Sequence, residues 1–249
     1  MRNKISAKPY GLSASSKLAG VYFKQANVFA SSIYGGFIGF EPRFAARETY
    51  QRLLRLLVKL YHSDTPHYGK EKRLCRGDVA LLKKWRIQKG VDWHSSYGLV
   101  IGLDTVINGE GLDVTLRLNA NGWFCGKEAL KGIAPYYYVF LINEDTRHVE
   151  VQATDYLEFH ITRTYGDFLS AFKFRPVDKG IVMVIAVVRP ILMTKGDKRV
   201  YISENKHYFK AAVIYSIGIF EGQLHSYVAK TANNEPAVSA RAKVAWQSS

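Results

Sequence analysis

The 249-residue chain is poor in cysteine, with only Cys75 and Cys125. Two cysteines cannot form the set of bridges that holds small secreted domains together, and their spacing fits no metal-ligand pattern. The first residues, Met1 to Tyr10, carry charge but no apolar stretch, so no secretory signal is predicted. These absences favour a protein that is made and kept in a reducing, cytoplasmic environment.

Long hydrophobic runs are also scarce. The most apolar stretch, Ile181 to Met193, is interrupted by Arg189 and Pro190. A membrane-spanning helix needs about 20 consecutive apolar residues. The stretch is therefore predicted to be a buried strand, and no membrane span is expected.

Motifs for catalysis and cofactor binding are missing. The chain has no Gly-x-Ser-x-Gly, His-Glu-x-x-His or Gly-x-Gly-x-x-Gly pattern. The segment Gly122 to Lys127 resembles a phosphate loop but is one residue short, and Glu128 stands where Ser or Thr would bind magnesium. The tripeptide Arg76-Gly77-Asp78 falls within a predicted helix and is interpreted as a chance match. We predict a protein that is not an enzyme and has no cofactor and no metal.

Two weaker patterns have ordinary alternatives. Glu158 and His160 share one side of a predicted strand, which suits acid–base chemistry but is more typical of the wet face of a half-buried strand. Four scattered residues are conceivable metal ligands, yet their spacing matches no known site. They are His62, His67, Cys75 and His94.

Positive charge is what the chain has in excess, with 35 Lys and Arg against 21 Asp and Glu and a net charge of +14. Residues 1–100 contain 18 Lys and Arg and 6 Asp and Glu, whereas residues 101–249 contain 17 Lys and Arg and 15 Asp and Glu. The first part therefore carries most of the net charge. Such asymmetry suggests contact with nucleic acid, an anionic surface or an acidic partner.

Two helices are predicted in that basic part. The first runs from Phe44 to His62, where apolar residues recur every three or four positions: Ala46, Tyr50, Leu53, Leu57 and Leu60. Charged residues with the same spacing form another face of it. The second helix is predicted from about Lys70 to Gln88, with four residues inward: Leu74, Leu81, Leu82 and Trp85.

The remaining segments read as strands. Leu18–Phe29 and Ser31–Phe40 are predicted to form an N-terminal hairpin, in which Gly35-Gly36 permits a bend. After Val91 the pattern alternates with period two, and turn residues separate the strands. Nine strands are predicted: Tyr97–Ile107, Leu112–Leu118, Tyr136–Ile142, His148–Gln152, Tyr156–Thr164, Ile181–Met193, Val200–Ser203, Tyr208–Phe220 and Leu224–Val228.

The predicted fold class is mainly β (α+β), an antiparallel β-sandwich preceded by an N-terminal β-hairpin and two helices. The predicted organisation is a tail and hairpin over 1–43, a helical pair over 44–90, the sandwich over 91–229 and a tail over 230–249.

Four stretches carry a family resemblance: KLAGVYFKQANVFASS, EPRFAARETYQRLLRLL, LCRGDVALLKKW and IVMVIAVVRPILMTKGDKRVYISENKHYFKAAVIYSIG. They span about Lys17 to Phe220. The chain resembles a widespread group of uncharacterised Bacteroidota proteins, in which a glycine-containing hairpin leads into a helical pair and an antiparallel β region. It departs from that group in SSIYGGFIGF, where a more basic strand is usual. The resemblance implies the fold and a bacterial or phage-like origin, and no activity or catalytic residues.

The first functional hypothesis is a structural subunit that assembles with itself into an ordered, virion-like particle or a filament. Strand edges are templates for pairing with another chain, and the glycines of Leu18–Phe40 permit close approach. We expect this segment to pack on a neighbouring subunit, so that deleting Met1–Phe40 abolishes assembly but leaves a folded sandwich. Tyr136-Tyr137-Tyr138 either adds an exposed patch or covers the sandwich edge. The candidate subunit contacts are Tyr22, Phe23, Tyr34, Gly35, Gly36, Phe37, Tyr136 and Tyr138.

The alternative function is nucleic-acid binding through the helical pair. Its candidate phosphate contacts are Arg52, Arg55, Lys59, Lys72, Arg73, Lys83, Lys84 and Arg86. Such charges equally form a merely solvated face, and no aromatic stacking residues are interleaved with them. A third possibility, a sandwich that binds sugar or peptide, rests on the aromatic residues alone.

Overall fold

The computed structural model describes residues 13–65, 71–88, 100–108, 111–119, 130–155, 157–160, 167–194, 199–203, 205 and 209–225. Helix α1 (Ala14–Phe40) and helix α2 (Arg47–Ser63) are joined by a 3₁₀ helix, Pro42–Phe44, and a second 3₁₀ helix covers Val79–Lys84. The strands are β1 (Val100–Asn108), β2 (Gly111–Asn119), β3 (Leu130–Asn143), β4 (His148–Ala153), β5 (Phe159–His160), β6 (Asp167–Phe174), β7 (Lys179–Met193), β8 (Val200–Ile202), β9 (Lys210–Phe220) and β10 (Gln223–His225).

These strands form two antiparallel sheets. The small sheet has the order β1-β2-β6. The large, seven-stranded sheet has the order β10-β9-β7-β3-β4, with β5 added beside β3 and β8 beside β7. Its central pair is β3 and β7, which run together from Asn143 opposite Gly180 to Leu130 opposite Leu192.

The two sheets pack face to face around one apolar core. Alternate residues of β7, including Val182 and Val184, point into this core with Val139 of β3. The small sheet contributes Val114 and Phe172 to the same core. The prediction of a mainly β, antiparallel, sandwich-like fold is thereby confirmed.

The other face of the large sheet is covered by the helices. Ile181, Met183 and Ile185 of β7 belong to a second core, which they share with Phe37 of α1 and Leu57 of α2. Strand β7 is therefore buried on both faces, and this explains its nearly continuous apolar sequence. The molecule has three layers: the small sheet, the large sheet and a helical layer made of α1, α2 and residues 71–88.

The predicted N-terminal hairpin is wrong, because its whole length lies in α1. Residues spaced three or four apart are buried along one side of this helix: Tyr22, Ala26, Phe29, Ile33 and Phe37. Ser13 caps the helix by accepting a hydrogen bond from the Ser16 N–H at 3.1 Å. Glycine and aromatic content favoured strands locally, but burial against the sheet outweighs such propensities. The backbone of α1 is hydrogen-bonded within the helix, so it has no strand edge to offer a neighbouring subunit.

Helix α2 confirms the first helix prediction, whereas the second predicted helix is wrong. The segment 71–88 contains a turn at Leu74 and the 3₁₀ helix Val79–Lys84. A Cβ atom on Gly77 would lie 2.3 Å from the Leu60 carbonyl oxygen, so the turn packs directly on the α2 backbone. Leu82 and Trp85 are buried as expected.

The strand predictions differ from the structure mainly at one place. Strand β6 was not predicted, because polar residues such as Ser170 and Lys173 dilute its apolar pattern. Of the predicted strand Tyr156–Thr164, the structure shows β5, while Tyr156 and residues 161–166 lie outside the described residues. Neither α1 nor any other helix in the described part of the chain combines the length and apolar character needed to cross a membrane.

Candidate functional site

Helix α1 has one side that no other described element covers. Val28, Ser31, Gly35 and Gly39 are exposed and lie three or four residues apart, so they share one side of the helix. A Cβ atom added at Gly35 or Gly39 would meet no described atom within 4 Å. We call these four residues the open α1 face. It lies opposite the side that packs on the large sheet.

The neighbouring Gly36 differs, because packing within the subunit explains why glycine stands there. A Cβ atom there would lie 3.0 Å from Val151 Cγ2 of β4 and 3.4 Å from Phe140 of β3. Glycine inside a helix costs about 1 kcal/mol relative to alanine. For Gly36 that cost is offset by the close approach of helix and sheet, whereas nothing in the described chain requires glycine at Gly35 or Gly39.

The predicted subunit contacts do not share one surface. Tyr22, Phe37 and Tyr138 are buried in the core beneath the helical layer. Tyr34 is half-buried, and its hydroxyl accepts a hydrogen bond from the Ala46 N–H at 2.8 Å. The half-buried ring of Tyr136 lies under the Arg189 guanidinium, with 4.8 Å between its centroid and the Arg189 Cζ.

Among these predicted contacts, Phe23 and Gly35 are exposed, Phe23 by 53%. Tyr137 is buried in the core between the two sheets. The Tyr136-Tyr137-Tyr138 segment lies in β3, between β7 and β4, so it matches neither the exposed patch nor the sandwich edge predicted from the sequence.

The eight predicted phosphate contacts fall into two groups. Three of them are shielded or paired. Arg52 lies 3.9 Å from Glu48 and bonds Thr49, Lys72 is 8% exposed, and Arg73 pairs with Glu71 at 2.8 Å. The other five are exposed: Arg55, Lys59, Lys83, Lys84 and Arg86.

A polar cleft lies between the helices and the β3–β4 turn. Its volume is about 220 Å³, and its lining includes Tyr61, Lys72, Arg73, Glu144 and Arg147. Opposite charges are paired across it, since Arg73 contacts Asp145 at 3.5 Å in addition to Glu71. No local sequence pattern predicts this cleft, because its residues come from four separate segments.

Glu144 fixes one wall of that cleft. Its carboxylate accepts a hydrogen bond from the Cys75 backbone N–H, and the side chain is buried. Burial raises the pKa of Glu144, and hydrogen bonds from Cys75 and Leu74 oppose the shift only in part. Burial and the Glu144 carboxylate together raise the pKa of the Cys75 thiol well above its ordinary value. This arrangement holds the turn at Leu74, and a thiol kept protonated is a poor nucleophile.

The remaining sequence candidates that the structure describes lie in surface contacts or in packed turns. His160 Nε2 lies 3.1 Å from a Glu158 carboxylate oxygen on the surface, and neither residue lines the cleft. Arg76 is bound to the buried Asp64 at 3.2 Å, which makes Arg76-Gly77-Asp78 part of the packed turn. Residues 122–128, His67 and His94 lie outside the described residues. Among the residues that the structure describes, no three His, Cys, Asp or Glu side chains cluster in a way that could hold a metal ion.

Comparison of the chain with protein families and with curated proteins gives no match.

Proposed function

We propose that the protein is a non-enzymatic structural subunit that associates with copies of itself into an ordered assembly. The observation that supports this most directly is the open α1 face. Gly35 and Gly39 each weaken α1 by roughly 1 kcal/mol relative to alanine, and no described neighbour occupies the space that a side chain would fill. A second helix that packs closely against this face would occupy that space and explain the two glycines.

Small residues spaced four apart let two helix backbones come nearer than the usual 8–10 Å. Close approach adds dispersion contacts and weak Cα–H to carbonyl contacts along the crossing. The exposed side chain of Val28, 37% accessible, lies on the same side of α1 as the two glycines and adds apolar area. A helix pair of this kind is the contact that we propose.

The charge distribution along α1 favours a contact between two identical copies. From Val28 to Phe40 the helix has no charged residue, while Lys17 and Lys24 lie near its start. Lys24 precedes Gly35 by 11 residues, or about 16 Å along the axis. Two copies that cross at Gly35 in a two-fold arrangement therefore bring no like charges together at the contact.

A filament or particle requires a second contact on another part of the subunit. The outer face of the small sheet lies on the opposite side of the three layers and exposes Leu169 by 68% and Val106 by 50%. Contacts on two opposite sides let identical subunits extend into an ordered array, whereas α1 alone would give a closed pair. The resemblance to the Bacteroidota group is consistent with a structural role, because it implies no activity and no catalytic residues.

A double variant that places two bulky side chains on α1 tests the helix contact. In the variant G35L/G39L the leucines project from the open α1 face and keep two helices apart, while leucine is a better helix former than glycine. Light scattering after gel filtration, over a range of concentrations, measures the oligomer, and negative-stain microscopy shows its order. We expect the wild type to form assemblies and G35L/G39L to form smaller ones.

The matched control is Gly20→Leu, which makes the same change on the same helix, also in open space. Gly20 precedes Gly35 by about 22 Å along the axis, so this variant should assemble as the wild type does. A wild-type protein that stays monomeric at every concentration would contradict the proposal. So would a G35L/G39L variant that folds and assembles normally.

A further inference from the structure

A strongly basic surface covers the helical layer on the side away from the sheets. It is formed by α2 and residues 77–87, which run antiparallel along that helix. Near the end of α2, Asp78 N–H donates to Ser63 Oγ at 2.7 Å, and near its start Trp85 Nε1 donates to the Thr49 carbonyl at 3.0 Å. The side chains that point outward from the two elements therefore belong to one surface.

Five of the exposed cations of these two elements form what we call the basic face: Arg55, Lys59, Lys83, Lys84 and Arg86. Within the described part of the chain none of the five forms an ion pair. Two acidic residues nearby are paired with other cations: Glu48 lies 3.9 Å from Arg52, and the buried Asp64 lies 3.2 Å from Arg76. Within the described residues, the basic face is thus a cluster of five positive charges that no described acidic side chain pairs with.

The surroundings of the basic face indicate the kind of partner. Interfaces between proteins have an apolar centre, yet none of the large exposed apolar side chains in the described residues belongs to α2 or to 77–87. Surfaces that bind nucleic acid are polar and strongly positive. Trp85, the one tryptophan of these two elements, is 1% exposed and cannot stack on a base. The face can therefore contact phosphates but offers no aromatic platform for bases.

We propose that the basic face binds the phosphate backbone of nucleic acid without regard to base sequence. The binding is electrostatic and releases counterions, so it weakens steeply as salt increases. This surface is distinct from the open α1 face, and the proposal does not depend on self-assembly.

The test uses the full chain and two variants of equal net charge. In the first, the five cations of the basic face are replaced by glutamine. In the matched control, five exposed cations elsewhere are replaced by glutamine: Lys17, Arg117, Lys173, Arg175 and Arg199. Circular dichroism verifies that both variants are folded. Fluorescence anisotropy then measures binding to a labelled DNA duplex and to a scrambled duplex of the same length, at several salt concentrations.

We expect the wild type and the control to bind both duplexes alike. The basic-face variant should lose on the order of 10³-fold in affinity at moderate salt, and its salt slope should be smaller by about 4 to 5, because each phosphate contact contributes about 0.9. The control should stay within about 3-fold of the wild type, since its changes touch no phosphate.

Three results would overturn the proposal. The first is a wild type that binds no duplex even at low salt. The second is an equal loss of affinity in both variants, which would assign the effect to net charge alone. The third is a clear preference for vesicles with anionic lipid over DNA, which would identify the partner as a membrane surface.

Discussion

Arg189 of β7 donates a hydrogen bond from Nη2 to Glu41 Oε1 across 2.9 Å, although the two residues are 148 positions apart. The Tyr138 hydroxyl donates to the same oxygen at 2.8 Å. Glu41 directly follows α1 and is 1% exposed. These two contacts link the end of α1 to the centre of the large sheet. The Arg189 guanidinium and the Tyr138 hydroxyl provide the hydrogen bonds that water would give to an exposed carboxylate.

The first prediction concerns that ion pair. Arg189→Met should lower the free energy of unfolding by about 3–5 kcal/mol, because it leaves the Glu41 carboxylate buried without its cation. The double variant E41L/R189M should lose clearly less than the sum of the two single changes. Urea unfolding measures all three. As a control, Arg52→Met removes half of a surface pair and should cost less than about 1 kcal/mol. Strict additivity of the two buried changes would contradict the prediction.

The second prediction tests the packing of α1. Phe37 is fully buried against Phe44 and Trp85, with ring centroids 5.7 and 6.0 Å away. Phe37→Ala should cost about 3–5 kcal/mol in thermal or urea unfolding. Phe23→Ala, at a position 53% exposed on the same helix, should cost much less. Equal effects of the two changes would mean that α1 does not pack as described. By the same reasoning, a chain without Met1–Phe40 should fail to fold, which reverses the expectation drawn from the sequence.

The third prediction compares two adjacent glycines. Gly35→Ala should raise the stability of the isolated subunit by up to about 1 kcal/mol, because alanine favours helix and the position is open. Gly36→Ala should be neutral or destabilising, because its Cβ would press on Val151 at 3.0 Å. Chemical unfolding at low protein concentration gives both values. A larger gain at Gly36 than at Gly35 would show that the two positions have been assigned to the wrong sides of the helix.

The fourth prediction concerns the pH dependence of stability. Burial raises the pKa of Glu144 above the 4.5 of an ordinary glutamate. Between pH 4.5 and the pKa in the folded state, the folded protein therefore keeps a proton on Glu144 that the unfolded chain releases. This contribution is fully present below pH 4.5 and is lost as pH rises through the folded pKa. Glu144→Gln cannot ionise, so the stability of this variant relative to the wild type should increase as pH rises through that range.

The control for this prediction is Glu221→Gln, an exposed glutamate in the β9–β10 turn. Unfolding by urea at a series of pH values should give the wild-type profile for this control. An unchanged profile for Glu144→Gln would show that the Glu144 carboxyl does not cause the pH dependence.

Elements whose buried residues repeat with a short period were predicted correctly. The spacing of Leu53, Leu57 and Leu60 identified α2, and these three residues are buried. The run at Ile181 identified β7, because a strand covered on both faces needs apolar residues at every position. Turn residues such as Glu221-Gly222 separated most of the other strands, and both adopt positive φ angles there.

Segments whose local conformation depends on residues far away in the chain were predicted wrongly or not at all. Tyr22, Phe29 and Phe37 are spaced for a helix, but the glycines and aromatics of the same segment also suit strands. The turn near Leu74 is held by Glu144, which bonds Cys75 N–H from 69 residues away. The pairing of Glu41 with Arg189 and the polar cleft depend in the same way on contacts between segments far apart in the chain.

The sequence by itself therefore determined the antiparallel β class, helix α2, the central strand β7 and the location of the excess positive charge. Each of these follows from composition or from a short-range period. Only the tertiary structure decided that Leu18–Phe40 is a helix, that the large sheet is covered on both faces and that five of the eight predicted phosphate contacts remain exposed. The physical reason is that burial against a distant strand outweighs local propensity, and burial is a property of the folded chain.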